Sequence, residues 1–410
     1  MNGDSVGELA RPAAARRKMA VMFNPFTEEH ELFRKQVRTF VEKELAPNVD
    51  KWEEDELFPN WVFKRAGELG ILGAHYPEDV GGGGGDYWFS VAKSEELPRC
   101  GAGGVAMGLL VQSDMATPCI SELGTPEQKK EFLEPALLGD KIAALGVSEP
   151  GAGSDVSAIR TTAKKVGGDW VINGSKTYIT NGTRADFITL LVKTDASAGY
   201  GGISIILFPT DTKGYGVSKK LKKMGNWSSD TAELFFDDCK VPVRNLLGEE
   251  GKGFFYLMQN FQSERVIACT SACSGARHAL DRSVQWGRDR QAFGKPLIKR
   301  EYWQQKLVEL YTKVEAAKAL SYKAVDAYNT DKYITKGEVQ FETTKLVSMA
   351  KVFVGDVAHE VIDQCVQFHG GMGYLEDGWV ARAYRDQRLL RIGGGTTEVM
   401  RYAIAKILGF

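Results

Sequence analysis

The sequence lacks an excess of either charge. Lysine and arginine total 52 against 53 aspartates and glutamates. That balance offers no pull toward a nucleic-acid backbone or an anionic membrane as the main partner, and leaves room only for a local basic patch. The six cysteines show no pairing pattern. Cys100, Cys119, Cys239, Cys269, Cys273 and Cys365 form no C-x-x-C pair and no Cys/His cluster, which argues against a disulfide framework and against a metal site. They read as buried free thiols of a reducing compartment. Cys269 and Cys273, four apart on one helical face, read as small packing residues. No apolar run has the length to cross a bilayer, so no membrane partner is expected. The first 22 residues lack the apolar stretch of a secretory signal. They read as a disordered lead, or alternatively as a mitochondrial transit peptide. A cytoplasmic bacterial location is expected, with the mitochondrial matrix as the alternative. There is no internal repeat.

At 410 residues the chain exceeds one ordinary core, so two or three units are expected. From Thr27 apolar residues recur at helical spacing (Phe33, Val37, Phe40, Val41, Leu45), and Pro47 is expected to stop that run. Helical patterns then continue to about residue 143. The five-glycine run Gly81 to Gly85 interrupts them and, with no Gly-Lys-Ser/Thr after it, is not a P-loop. From near Gly146 to about 250 short alternating stretches dominate, and Asn173-Gly174 reads as a hairpin turn. Helix returns from about Gly251, with Leu307, Leu310, Tyr311, Val314, Ala317 and Leu320 at helical spacing. Strands and helices are segregated, which predicts an α+β, mostly α architecture rather than a doubly wound sheet. The expected units are a helical domain at 23–143, a β domain at 144–250 and a helical bundle at 251–410.

Four segments carry candidate chemistry. Gly146-Val147-Ser148-Glu149-Pro150-Gly151-Ala152-Gly153-Ser154-Asp155 offers free backbone N–H groups and close approach to a flat or phosphorylated ligand. Locally, a β-turn explains it as well. Tyr178 and Thr180 alternate on one side of a strand, a ring beside a hydroxyl; a half-buried strand end is the plainer account. Arg288 to Lys295 sets three cations around Phe293, which suits a pyrophosphate or a solvated helix end. Two glycine clusters, around Gly370-Gly371 and Gly393 to Gly395, sit in otherwise helical surroundings where glycine costs about 1 kcal/mol per position. Close approach to a ligand is the better account of them.

Together and in this order, the four segments resemble the acyl-CoA dehydrogenase family over about residues 23–410. The resemblance implies an N-terminal helical domain, a small β domain and a C-terminal four-helix bundle, in a homotetramer that binds FAD. It implies Val147 and Ser148 at the flavin pyrimidine edge, and Tyr178 and Thr180 beside its ring, Tyr178 standing where tryptophan is commoner. It implies Arg290 and Phe293 at the cofactor of a neighbouring subunit, Gln367, Gly370 and Gly371 at the pyrophosphate, and Thr396 and Glu398 at the near end. Ser154 is implied at the pantetheine arm of an acyl-CoA, with Arg265 also on the substrate side. Where the family usually has glutamine, this chain has Glu301, which is not assigned to the site.

The family's reaction removes an α-proton from the acyl-CoA while hydride leaves the β-carbon for flavin N5, giving the trans-2-enoyl-CoA. Electrons then pass to an electron-transfer flavoprotein. Many members carry the base in a Tyr-Glu-Gly-Thr motif. Here those positions read Gly393-Gly394-Gly395-Thr396, and glycine cannot take a proton. A minority of the family, the isovaleryl-CoA and long-chain types, places its base on an earlier bundle helix, and Glu264 falls there, followed by Arg265. Glu264 is therefore the expected base. The backbone N–H of Gly394 and the FAD ribityl 2′-hydroxyl are the expected thioester donors. The open Gly393–Gly395 stretch favours a long or branched acyl chain. The rival readings are an acyl-CoA oxidase, a flavin oxidase of a non-CoA substrate, and a non-enzymatic assembly protein retaining the fold.

Overall fold

The structure is a computed structural model that describes residues 24–410. The expected N-terminal lead lies outside the described residues. The first helical region holds α1 (Glu28–Phe40), α2 (Val49–Glu54), α3 (Trp61–Glu68), α4 (Tyr87–Glu96), α5 (Gly103–Leu110), α6 (Pro118–Leu123), α7 (Pro126–Gln128) and α8 (Glu134–Leu137). Thr27 caps α1 through a capping box with His30. Pro47 does not stop the chain, contrary to expectation. A π-helical turn, Val41–Leu45, leads into a 3-10 turn with the proline in its first positions, where no N–H is needed, and α2 follows.

Eight strands form one sheet: β1 (Ala143–Gly146), β2 (Thr162–Val166), β3 (Asp169–Thr180), β4 (Phe187–Lys193), β5 (Ile203–Pro209), β6 (Tyr215–Lys220), β7 (Thr231–Pro242) and β8 (Leu246–Leu247). The order is β6-β7-β3-β2-β4-β5-β8, with β1 parallel on β4. Alternation assigns the faces. Phe187, Leu191, Ile205 and Leu207 pack with the helical Phe132, Leu133 and Leu257, whereas Ile188, Leu190, Val192, Ile206 and Phe208 pack with Trp170, Leu234 and Phe236. The Asn173-Gly174 turn is not found. Both residues lie inside β3, at a register shift against β7, and the β2–β3 connection falls at Gly167-Gly168. Gly174 has φ +148°, and a Cβ there would stand 2.5 Å from Thr161 Oγ1, so the glycine serves a bulge.

The C-terminal region is a bundle of α9 (Gly253–Asp289), α10 (Glu301–Asn329), α11 (Phe341–His369), α12 (Trp379–Gln387) and α13 (Thr397–Leu408). A two-stranded hairpin, β9 (Gln291–Ala292) and β10 (Lys295–Pro296), joins α9 to α10. One core runs through both helical regions, from Val37, Phe40 and Val91 to Val266, Leu310 and Val354. Polar contacts lock the three regions: Asp386 of α12 accepts from the N–H of Gly103 at 2.9 Å and of Asn226 at 2.5 Å. All six cysteines are buried and free.

Candidate active site

Helix α9 has 37 residues, roughly 55 Å at ~1.5 Å per residue. Glu264 lies a third of the way along it. The segment Arg388 to Thr396 crosses beside this turn, and Gly394 is brought against the carboxylate. A Cβ on Gly394 would sit 2.7 Å from Glu264 Oε1, and the residue has φ +64°. Position 394 is therefore glycine for two reasons, backbone and space. Arg265 Nε donates to the carbonyl of Gly394 at 3.1 Å, and Lys351 Nζ of α11 donates to Gly395 O at 2.5 Å and to Leu390 O at 3.3 Å. Gly393 N–H is used within the turn, on Leu389 O at 2.9 Å. The N–H groups of Gly394 and Gly395 have no protein acceptor among the described residues. Burial pushes the Glu264 carboxyl up from its ordinary value, against the opposing pull of Arg265 and then Lys351. No side chain among the described residues hydrogen-bonds its oxygens.

The Gly146 to Asp155 segment leaves β1 and is pinned from below. Glu149, buried, accepts from the backbone N–H of Arg160 at 2.6 Å and of Thr161 at 3.0 Å, and from Lys176 Nζ at 2.8 Å. Lys176 also donates to Val147 O at 3.0 Å, and Thr177 N–H to Ser148 O at 2.9 Å. Val147 and Ser148 are thus stitched to the strand that carries Tyr178 and Thr180. Tyr178 is 71% exposed and holds φ +61°, a sparsely populated conformation for a tyrosine. Thr180 is half-buried beside it, while Ser154 is exposed at the loop tip.

A second group gathers at the far end of the bundle. Arg290 ends α9, and Phe293, 96% exposed with φ +50°, tips the β9–β10 hairpin. The C-terminal end of α11 packs here: Trp286 Nε1 donates to Phe368 O at 3.2 Å, and Trp303 stacks on Phe368 at 4.2 Å. Gln367, Gly370 and Gly371 lie at that end, and neither glycine has any atom within 4 Å of where a Cβ would be. Arg290 is about 26 residues beyond Glu264, roughly 39 Å of helix. One chain therefore does not bring Arg290, Phe293, Gln367, Gly370 and Gly371 to Glu264. Thr396, two residues after Gly394, caps α13, accepting from Val399 N–H at 3.3 Å, and Glu398 is exposed in the first turn.

The acyl-CoA dehydrogenase N-terminal, middle and C-terminal domain families match residues 27–140, 144–239 and 251–409. This chain belongs to the acyl-CoA dehydrogenase family. A long-chain specific acyl-CoA dehydrogenase from mitochondria of Rattus norvegicus is 37% identical over 93% of this chain and 86% of its own length. A short-chain specific acyl-CoA dehydrogenase of the same organism is 36% identical over 98% and 96%. The acyl-CoA dehydrogenase from Geobacillus kaustophilus superposes with a TM-score of 0.89 at 38% identity, covering 94% of this chain and 100% of that one. A glutaryl-CoA dehydrogenase from Mycobacterium smegmatis, solved in complex with FADH2, has a TM-score of 0.86 at 27% identity, covering 94% and 95%. The acyl-CoA dehydrogenase fold, with helical, β and helical regions, and a flavin-dependent oxidoreductase are thereby assigned.

In this acyl-CoA dehydrogenase the residues present suit a flavin. An exposed ring at Tyr178, an exposed ring at Phe293, a solvent-facing Arg290 and two open glycines are costly or idle features without a ligand. Glu301 opens α10 and accepts from Gln305 at 2.9 Å, an acid favoured in a first helical turn. Sequence reasoning missed Glu149, Lys176 and Lys351. Glu149 lies inside the Gly146 to Asp155 segment, and Lys176 stands two residues before Tyr178 on the same strand. Among the described residues there is no cluster able to hold a metal ion and no helix long and apolar enough to cross a membrane.

Proposed function

We propose that the protein dehydrogenates a saturated acyl-CoA to the trans-2-enoyl-CoA, with Glu264 removing the α-proton. The observation that carries this reading is the fit between Glu264 and Gly394. A carboxylate occupies the space that a side chain at 394 would need. Bound FAD, held by Val147, Ser148, Tyr178, Thr180, Thr396 and Glu398, supplies the hydride acceptor. Arg290, Phe293, Gln367, Gly370 and Gly371 hold the far part of the cofactor of another subunit, in a homotetramer.

The free N–H of Gly394 donates to the thioester carbonyl and stabilises the negative charge that grows there as the proton leaves. Arg265 fixes the peptide that follows. Ser154, exposed at the loop tip, meets the pantetheine arm. Substrate excludes water from Glu264, which raises its basicity further. The divisions at 23–143, 144–250 and 251–410 are the working units. A long or branched acyl chain is the proposed substrate class, although Glu264 and Met400 fill the space that side chains at 394 and 395 would need. Electron-transfer flavoprotein is the proposed acceptor, and the compartment is a bacterial cytoplasm or the mitochondrial matrix.

A Glu264→Gln variant that keeps its flavin is expected to lose about 10²- to 10⁴-fold in turnover. Near wild-type turnover would remove Glu264 as base. Anaerobic bleaching of the flavin by acyl-CoAs of graded length and branching tests the substrate class. Rapid oxygen consumption without an acceptor protein would point instead to an oxidase.

A further inference from the structure

Lys351 is not explained by packing. It lies in the middle of α11, and its side chain is buried. Buried lysines normally find a carboxylate. This one forms no ion pair within 4.0 Å among the described residues. Its ammonium instead holds two main-chain carbonyls, Gly395 O at 2.5 Å and Leu390 O at 3.3 Å. These two carbonyls bracket Gly394. The space at Gly394 is shared between the same two partners: a Cβ there would lie 2.7 Å from Glu264 Oε1 and 3.5 Å from Lys351 Cε. With Arg265 on Gly394 O, two cations tie down consecutive peptides of one loop.

We propose that Lys351 is a positioning residue for the base, clamping the Leu390–Gly395 loop and supplying the positive charge that keeps Glu264 ready to accept a proton. The proposal rests on Glu264 being the base. The loop has three successive glycines and would otherwise sample many conformations. Holding it from Leu390 and Gly395 fixes where the Gly394 N–H points. The same ammonium offsets the burial of Glu264.

The titratable groups around Lys351 are few. Helix α9 contributes Arg265, Glu264 and the thiol of Cys269, which burial pushes up and so keeps neutral. The loop contributes Arg391, which is turned to Asp356 at 3.2 Å, and Arg401 of α13 joins the same aspartate at 3.3 Å. Burial pulls the Lys351 ammonium down to about 8.

The test uses the flavin-loaded enzyme and compares Lys351→Met, Lys351→Gln and Lys351→Arg with wild type. For Lys351→Met, kcat is expected to fall about tenfold to a hundredfold, the scale of a small misplacement. The acid limb of the kcat/KM profile is expected to move to higher pH, since a cation beside the carboxylate is gone. Lys351→Gln keeps a donor for the carbonyls without the charge, so its acid limb moves too, and it serves if the methionine variant does not fold. Lys351→Arg restores the limb. A merely structural lysine would lower stability or kcat and leave the limb in place, and that result in both neutral variants overturns the proposal. A Glu264→Gln enzyme that stays active would instead overturn the underlying base assignment, so the two failures are distinguishable.

Discussion

At the scale of single residues, the site turns on which side chain is absent. The proposal of Glu264 as base could be drawn from the sequence because Gly394 cannot be a base, and neither residue alone would have suggested it. Lys351 was not legible, because a lysine in a helical pattern reads as a solvated face, and its partners lie about 40 positions later. Adding one carbon at Gly394 should be costly. Gly394→Ala must hold φ +64° and place Cβ 2.7 Å from Glu264 Oε1. A stability loss of about 1–3 kcal/mol is expected for the strain, read by urea unfolding, together with a larger fall in kcat as the carboxylate is displaced. The pH dependence follows from the sign of the Glu264 shift. Burial raises its value, so the proton-accepting form is lost as pH falls through that raised value. A kcat/KM profile should therefore decline on its acid side earlier than an exposed glutamate would allow. A flat profile down to the ordinary glutamate range would contradict the burial.

At the scale of elements, the Gly146 to Asp155 loop, the proposed flavin edge, owes its shape to a strand beneath it. Burial alone would raise Glu149, yet Lys176 overrides it and holds the carboxyl low, while burial brings Lys176 down to about 8. A depressed carboxyl stabilises the fold above its unfolded value and ceases to do so as pH falls through its folded one. The loop should consequently loosen in acid before the helices do. Replacing Lys176 by methionine strands Glu149 and should cost about 3–5 kcal/mol. Flavin release should precede global unfolding when absorbance and circular dichroism are followed in one titration. Simultaneous loss of both signals would mean that the loop has no separate stability. The two elements misread from sequence share a cause. Pro47 and Asn173-Gly174 are both strong local stop signals, and in both places the element runs on in a locally altered form. A 3-10 turn absorbs the proline, and a bulge against Thr161 absorbs the glycine. Segregation of strands from helices was legible because it rests on long periodic patterns, which no single contact can overturn.

At the scale of the whole molecule, the length of α9 supports the proposed assembly of more than one chain per site. The turn that carries the proposed base and the Arg290 end are too far apart to serve one flavin from one chain. Arg290→Glu is expected to lower flavin affinity at an unchanged melting temperature of the apoprotein, measured by dialysis against a flavin gradient. If flavin affinity were untouched, the far group would have another purpose. That separation has a genetic consequence. In the proposed shared site, a chain defective at Glu264 and a chain defective at Arg290 carry their faults in different halves. Expressed together, the two would assemble some sites in which the sound half of each meets the sound half of the other. Two dead alleles would then yield a partly living enzyme.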